Sequence, residues 1–308
     1  MTSHLIGETA AVCTAALWTT CSILFAAAGR RIGALSVNAY RIAMAVGLLG
    51  IAHVILHGSI LPSANSAQWF YLGLSGVAGL ALGDFGYFGA LVFLGPRRGV
   101  LLMAMSPIFA TVAAYFVLGE VLAPWDMIGI AVTLCGVTWV VIEKEVHSSE
   151  SPVAPRQKLY GILCGLGGAI GQGLGLVLSK YGMLAAGGDA SQPLNPLSAT
   201  LLRMIVAAAF VWLAVTVSGR LPRVIGAHKN TAAISRTFAG ALTGPFAGVW
   251  LSMVAVTYAV AGVAATLMSL MPVMVIPVLW MLYRQRTSRR GITGAAIAVA
   301  GVAILFLI

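Results

Sequence analysis

One carboxylate stands in the middle of a long apolar run. It is Asp84, within Gly83-Asp84-Phe85-Gly86-Tyr87. An ionisable group in hydrocarbon costs at least roughly 2.5–3.5 kcal/mol on insertion scales, so it must face a cavity or a partner. Two roles suit such a group. It either takes up and releases a proton or a substrate amine, or fixes its helix to a neighbour by a structural hydrogen bond. Tyr87 lies three residues on and shares its face. It either donates to the carboxylate and stacks on a substrate, or packs at an interface. No Lys or Arg lies within one helical turn of Asp84 on its own helix. A carboxylate disfavoured in its charged form there is a candidate for proton coupling, with Arg203 the cation across a cavity that would oppose it.

The other candidates are fewer in kind. Arg41 and Arg203 each sit about two turns inside a helix, from opposite sides. They either snorkel to the interface or ring the two mouths of a passage as gating, anion-steering groups. Trp18 suits the wall of an apolar pocket or plain helix packing. Gln172, deep in a glycine-rich helix, is a cavity candidate because a buried amide needs partners. Trp250 follows Val249, the residue at the Asp84 position of the second half. Glu8 is shallow, a second proton site or a solvated interfacial group. Glu120 and Asp126 flank a short turn and suit helix capping.

Several chemistries are not supported. His53 and His57 have the i, i+4 spacing of a metal pair but no third ligand nearby, so no metal and no cofactor are expected. Cys13, Cys21, Cys135 and Cys164 lie in apolar stretches without a C-x-x-C pattern and read as small buried hydrophobes. There is no phosphate-binding G-x-x-x-x-G-K-[ST] motif.

These residues need helices to carry them across a bilayer. The chain is 60% hydrophobic and 8% charged, far below the charged quarter of a soluble domain. Ten apolar stretches are long enough to span: 5–28, 35–57, 68–93, 98–119, 123–142, 159–182, 195–218, 236–258, 261–283 and 291–308, spans 1 to 10. This is an all-α integral membrane protein. Its net charge of +10 comes from short clusters at helix ends, which suit topology signals better than a nucleic-acid face. Ala26-Ala27-Ala28 resembles a signal-peptidase site, but Arg30-Arg31 follow the segment and no Lys or Arg precedes it. The first span is therefore expected to be retained.

The segment from Gly83 to Ile142 occurs twice. A shift of 165 positions places Gly83 on Gly248, Ala90 on Ala255, Pro107 on Pro272, Gly129 on Gly294 and Gly136 on Gly301 without a gap. Leu35-Ser36 with Arg41 likewise matches Leu197-Ser198 with Arg203. The expected organisation is a first repeat at 1–142, a cytoplasmic linker at 143–158 and a second repeat at 159–308. Five spans per repeat is an odd number, so the second copy enters the membrane inverted. Such repeats place a substrate site near the midplane. Pro107 and Pro272 each remove a backbone donor, predicting matched kinks that serve as hinges. Gly76, Gly79, Gly83, Gly86 and Ala90 form one small-residue stripe, and Gly161, Gly165, Gly171 and Gly175 give spacing for close helix contact.

The cations are one-sided. Fifteen Lys and Arg lie in the 1–2, 3–4, 5–6, 7–8 and 9–10 connections, against Lys180 on the other side. Positive loops stay cytoplasmic, so both termini are expected outside the cytoplasm in a cell (inner or plasma) membrane.

Pro107, then Leu118-Gly119-Glu120, then Gly129 and Gly136, with Ala16-Leu17-Trp18 and Arg41, resemble the pattern of the drug/metabolite transporter superfamily, EamA type, over nearly the whole chain. Two features depart from it. The second copy has Tyr283-Arg284-Gln285 in place of Leu118-Gly119-Glu120, and the 2–3 connection has no Lys or Arg. The resemblance implies a V-shaped cavity lined by spans 1–4 and 6–9, with spans 5 and 10 peripheral. It also implies export or exchange of a small metabolite. The expected function is a secondary transporter for an amino acid, amine or drug-like compound, with the proton as coupling ion, working as a monomer or homodimer. The competing reading is a membrane scaffold or enzyme subunit in which Asp84 merely holds a helix. A membrane enzyme needs several polar groups at one depth, and Asp84 stands nearly alone, so no enzyme activity is expected.

Overall fold

The computed structural model describes residues 2–94, 96–142, 155–184, 193–276 and 289–307. Most of the linker and the Tyr283–Gln285 departure lie outside them. Every regular element among the described residues is helical. Span 1 is Thr2–Ile32, span 2 Ala34–His57, span 5 Pro124–Ile142, span 6 Pro155–Leu184, span 7 Pro196–Val217 and span 10 Arg289–Leu307. Among the described residues eight helices are long and apolar enough to cross a bilayer, and two shorter apolar helices complete the ten. The protein is an all-helical membrane protein of two inverted five-helix repeats.

Spans 3 and 8 share an unusual construction. Span 3 runs as Ser66–Ser75, a π-helical Gly76–Gly83, and Asp84–Leu94. Span 8 runs as Thr231–Ala241, a π-helical Leu242–Gly248, and Val249–Tyr258. The wide turns fall at matching places for different local reasons. In span 3 Gly76, Gly79 and Gly83 loosen the helix, and in span 8 Pro245 removes a donor from it. Such wide turns are rare and cluster at functional sites.

Spans 4 and 9 are interrupted rather than gently kinked. Span 4 is Pro96–Met103 and Ser106–Leu118, parted at Ala104 and Met105. Span 9 is Ala261–Met268, a turn at Ser269 and Leu270, and a helical start at 271–276. The 165-residue shift maps one break onto the other. The Met105 N–H donates to Leu102 O at 3.1 Å, as Leu270 N–H does to Leu267 O at 3.2 Å. The expectation of a mid-helix kink is corrected: each proline opens the second segment, where its missing N–H costs nothing. Thr19 Oγ1 donates to the Met271 carbonyl, just after the break, at 3.3 Å.

Glycine sets the spacing of the core. A methyl built on Gly86 would lie 2.6 Å from Cys164 O and 2.8 Å from Gly168 N, so spans 3 and 6 touch backbone to backbone. Gly175 presses on Gly79 in the same seam. Span 6 thus packs on spans 3 and 4 of the first repeat, and span 1 on spans 8 and 9 of the second. Spans 5 and 10 pack mainly on each other. Bulky side chains such as Phe116 (79% exposed) and Ile55 (74%) face outward, where lipid would cover them.

Candidate functional site

Asp84 is the first residue after the π-helical turn of span 3, and it has found a cation. Arg41 Nη2 forms an ion pair with Asp84 Oδ2, and the two side chains are 11% and 14% exposed. Gln172 Nε2, from span 6, donates to Asp84 Oδ1 at 2.8 Å. The carboxylate is therefore held from both repeats at once. Arg41 is anchored in turn: its Nε donates to Asn38 Oδ1 at 2.8 Å. Its guanidinium also lies over the Phe25 and Phe88 rings, at 5.4 and 5.8 Å from their centroids. Tyr87 and Cys21 stand within electrostatic reach of the same carboxylate.

This corrects the reading of Arg41 as an interfacial or mouth-lining residue. The pair satisfies a largely buried charge, which outweighs snorkelling. It also corrects Arg203 as the cation opposing Asp84. Asn38, Phe25, Phe88 and Cys21 were missed from sequence. Only Asn38 left a trace there, being one helical turn before Arg41.

The remaining candidates are placed as follows. Trp18 lies 2.7 Å from where Gly248 would carry a methyl, closing span 1 on the π-helical turn of span 8. Gln172 occupies the same relation to Gly83, with its Cγ at 3.3 Å. Trp18 and Gln172 are therefore structural counterparts. Trp250 stacks at an angle beside Phe246, with ring centroids 6.1 Å apart. Arg203 is 4% exposed, and its Nη1 reaches Met253 Sδ at 2.9 Å. Glu8 is 9% exposed and within electrostatic reach of Asp126, away from the Asp84 cluster. Its expected solvated position is corrected, because Gly7 beside it packs on Ala259 and draws this turn inward.

Of the two polar groups that sequence treated as caps, Glu120 does more. Glu120 accepts from Ala261 N at 2.8 Å, capping span 9, and meets Lys180 Nζ at 2.5 Å. Lys180 also donates to Ala259 O at 2.5 Å. This knot ties the end of span 4 to span 6 and to the turn between spans 8 and 9. Asp126 Oδ2 accepts from Ala123 N at 3.0 Å, as expected of a cap. His53 has both ring nitrogens engaged, with Ser59 O at 2.6 Å and Ser198 Oγ at 3.0 Å, so it ties span 2 to span 7. Cys13 and Cys135 are exposed on the outer surface, not buried as expected, because their helices turn those faces away from the core. Elsewhere, a cavity of about 760 Å³ opens among Arg30, Arg31, Arg223 and Lys229.

The helical membrane fold and the duplication agree with one family, whose model, the EamA-like transporter family, matches residues 5–142 and 159–307. The chain belongs to the EamA-like transporter family. The expected superfamily resemblance is thereby confirmed, and a membrane transporter role is supported at the level of the family. A solved structure described only as "Crystal structure of protein" is similar over 99% of this chain and 96% of its own, with a TM-score of 0.73 and 19% identity. At that identity the likeness concerns the fold alone. No curated protein matches the chain.

Proposed function

We propose that this EamA-family protein exports or exchanges a small organic metabolite by alternating access between its two repeats, 1–142 and 159–308, with Asp84 as the coupling group. One observation carries the reading: Asp84 is held by Arg41 of its own repeat and by Gln172 of the other. A group gripped by both halves senses their relative motion. Protonation of Asp84, or arrival of a substrate amine, cancels its attraction for Arg41. Arg41 has a resting place when that happens, since Asn38 and the Phe25 and Phe88 rings remain. Gln172 still donates to the neutral carboxyl oxygen. The pair is thus built to be broken and remade at modest cost. The one-sided cations support an orientation in a cell membrane with both termini and the 4–5 turn on the side away from the cytoplasm.

The test begins with a thermal-shift screen of purified protein against amino acids, nucleobases and cationic drugs. The best stabiliser is then followed into proteoliposomes. Asp84→Asn keeps the shape and removes the titration, so uphill, gradient-driven uptake should be lost while exchange persists. If Asp84→Asn concentrates the compound at the wild-type rate, Asp84 is structural. A scaffold would show no compound-dependent stabilisation at all.

A further inference from the structure

Inverted repeats invite a comparison of the two arginines. Arg41 is the eighth residue of span 2 and Arg203 the eighth of span 7, each about 10 Å in from its helix start. The 165-residue shift pairs the span 3 residues Asp84 and Phe88 with Val249 and Met253 of span 8. The partners of Arg41 thus have counterparts around Arg203, but their chemistry has been stripped out. Asp84 becomes Val249, Phe88 becomes Met253, and Asn38, one turn before Arg41, becomes Thr200. Thr200 spends its hydroxyl on Pro196 O at 2.7 Å.

Arg203 is left with little. Among the described residues its Nε, which is buried, has no hydrogen-bond partner. Among the same residues Nη1 meets only Met253 Sδ, a weak acceptor. Its Nη2 lies 3.6 Å from the point where Gly79 would carry a methyl, and Gln172 Oε1 lies 3.7 Å from that same point. No carboxylate among the described residues pairs with Arg203. A guanidinium at this depth without an anion is costly.

We propose that Arg203 is the binding group for a substrate carboxylate, which takes beside Arg203 the place that Asp84 takes beside Arg41. The ligand class is a small monocarboxylate with an apolar body. One arginine balances one negative charge, and Met253, which touches the guanidinium one helical turn after Val249 on span 8, gives the site an apolar side. A phosphate dianion would leave a charge uncompensated. Gly79 belongs to the site because Arg203 Nη2 and Gln172 Oε1 both lie within 4 Å of the place its side chain would take, and Gln172 in turn holds Asp84. This inference rests on the transport reading above and names the substrate class of the same centre.

The experiment uses the purified full chain in detergent, with 3-phenylpropanoate as probe and 3-phenylpropanamide, 3-phenylpropylamine and inorganic phosphate as controls. The carboxylate alone should raise the wild-type Tm by a few degrees at saturation. Arg203→Met should keep the unliganded Tm and weaken the carboxylate response by roughly tenfold or more. Val249→Asp supplies the missing anion from within, so it should raise the unliganded Tm and abolish the response. Equal protection by the amide, no protection by the carboxylate, or undiminished protection in either variant overturns the proposal. A large fall in the unliganded Tm of Arg203→Met does so too, because it marks Arg203 as structural. Failure of the transport reading has a separate signature: carboxylate protection intact, but no movement of the probe into proteoliposomes.

Discussion

Glu120 and Lys180 meet at 2.5 Å across the boundary between the repeats, and both also bind backbone at the turn between spans 8 and 9. The lysine that stands apart from the other connections' clustered cations therefore has a definite task. It ties span 6 to the end of span 4 and to the turn between spans 8 and 9.

Lys180→Met is expected to leave Glu120 with only the Ala261 N–H, at a cost on the order of 3 kcal/mol, since both partners are largely buried. A charge swap, Glu120→Lys with Lys180→Glu, should recover little. It would set an ammonium at the N-terminus of span 9, where an acceptor is needed. Thermal unfolding of the two single variants and the swap decides this. Full recovery by the swap would mean that the charges alone matter and the cap does not.

The Arg41–Asp84 pair lends itself to a double-mutant cycle. Arg41→Met strands a buried carboxylate and is expected to lose about 3–5 kcal/mol. Adding Asp84→Leu should restore most of that stability while leaving gradient-driven uptake absent. Restored uptake in the double variant would remove the pair from the coupling step.

The glycine seam gives a steric test. Gly86→Ala brings a methyl onto the Cys164 carbonyl, so it should cost at least 1–3 kcal/mol and reduce the yield of folded protein. Gly167→Ala, with nothing within 4 Å, is the matched control and should be neutral or slightly stabilising. A comparable loss at both positions would place the damage in helix propensity or lipid contact instead.

Matched breaks should behave alike. Pro107→Ala and Pro272→Ala each restore a backbone donor beside the break of span 4 or 9. Under a symmetric hinge both should slow proteoliposome flux by similar factors. A slow variant beside a normal one would show that only one break moves.

For orientation, Val121→Cys lies in the 4–5 turn at a position 76% exposed. A membrane-impermeant maleimide is expected to label it from outside intact cells. Labelling only after permeabilisation would reverse the assigned sides.

The helices and their duplication were legible because periodicity, length and the Gly83–Ile142 repeat are local records. Asp84 could be singled out for the same reason: its cost depends on depth alone. Its partner could not, since a sequence carries the register along each helix but not the rotation of span 2 against span 3. The interrupted spans show a subtler limit. Pro107 and Pro272 marked the right places, but a proline reads alike inside a kink and at a helix start. The π-helical turn of span 8 had a signal in Pro245, whereas that of span 3 had only glycines, which are common throughout the chain.

The exchange of Asp84 for Val249 bears on which way the protein rests. In an inverted repeat, the two end conformations of an alternating-access cycle are related by a pseudo-two-fold rotation about an axis in the membrane plane, each half taking the other's role. Identical halves would make those conformations degenerate in energy, and every matched contact cancels from the difference between them. What remains is set by unmatched positions: Asp84 and Val249, Asn38 and Thr200, Phe88 and Met253, Trp18 and Gln172. The same few substitutions that give the centre its chemistry thus also set the empty protein's preferred facing direction, and exchanging them in pairs between the halves should turn that preference around.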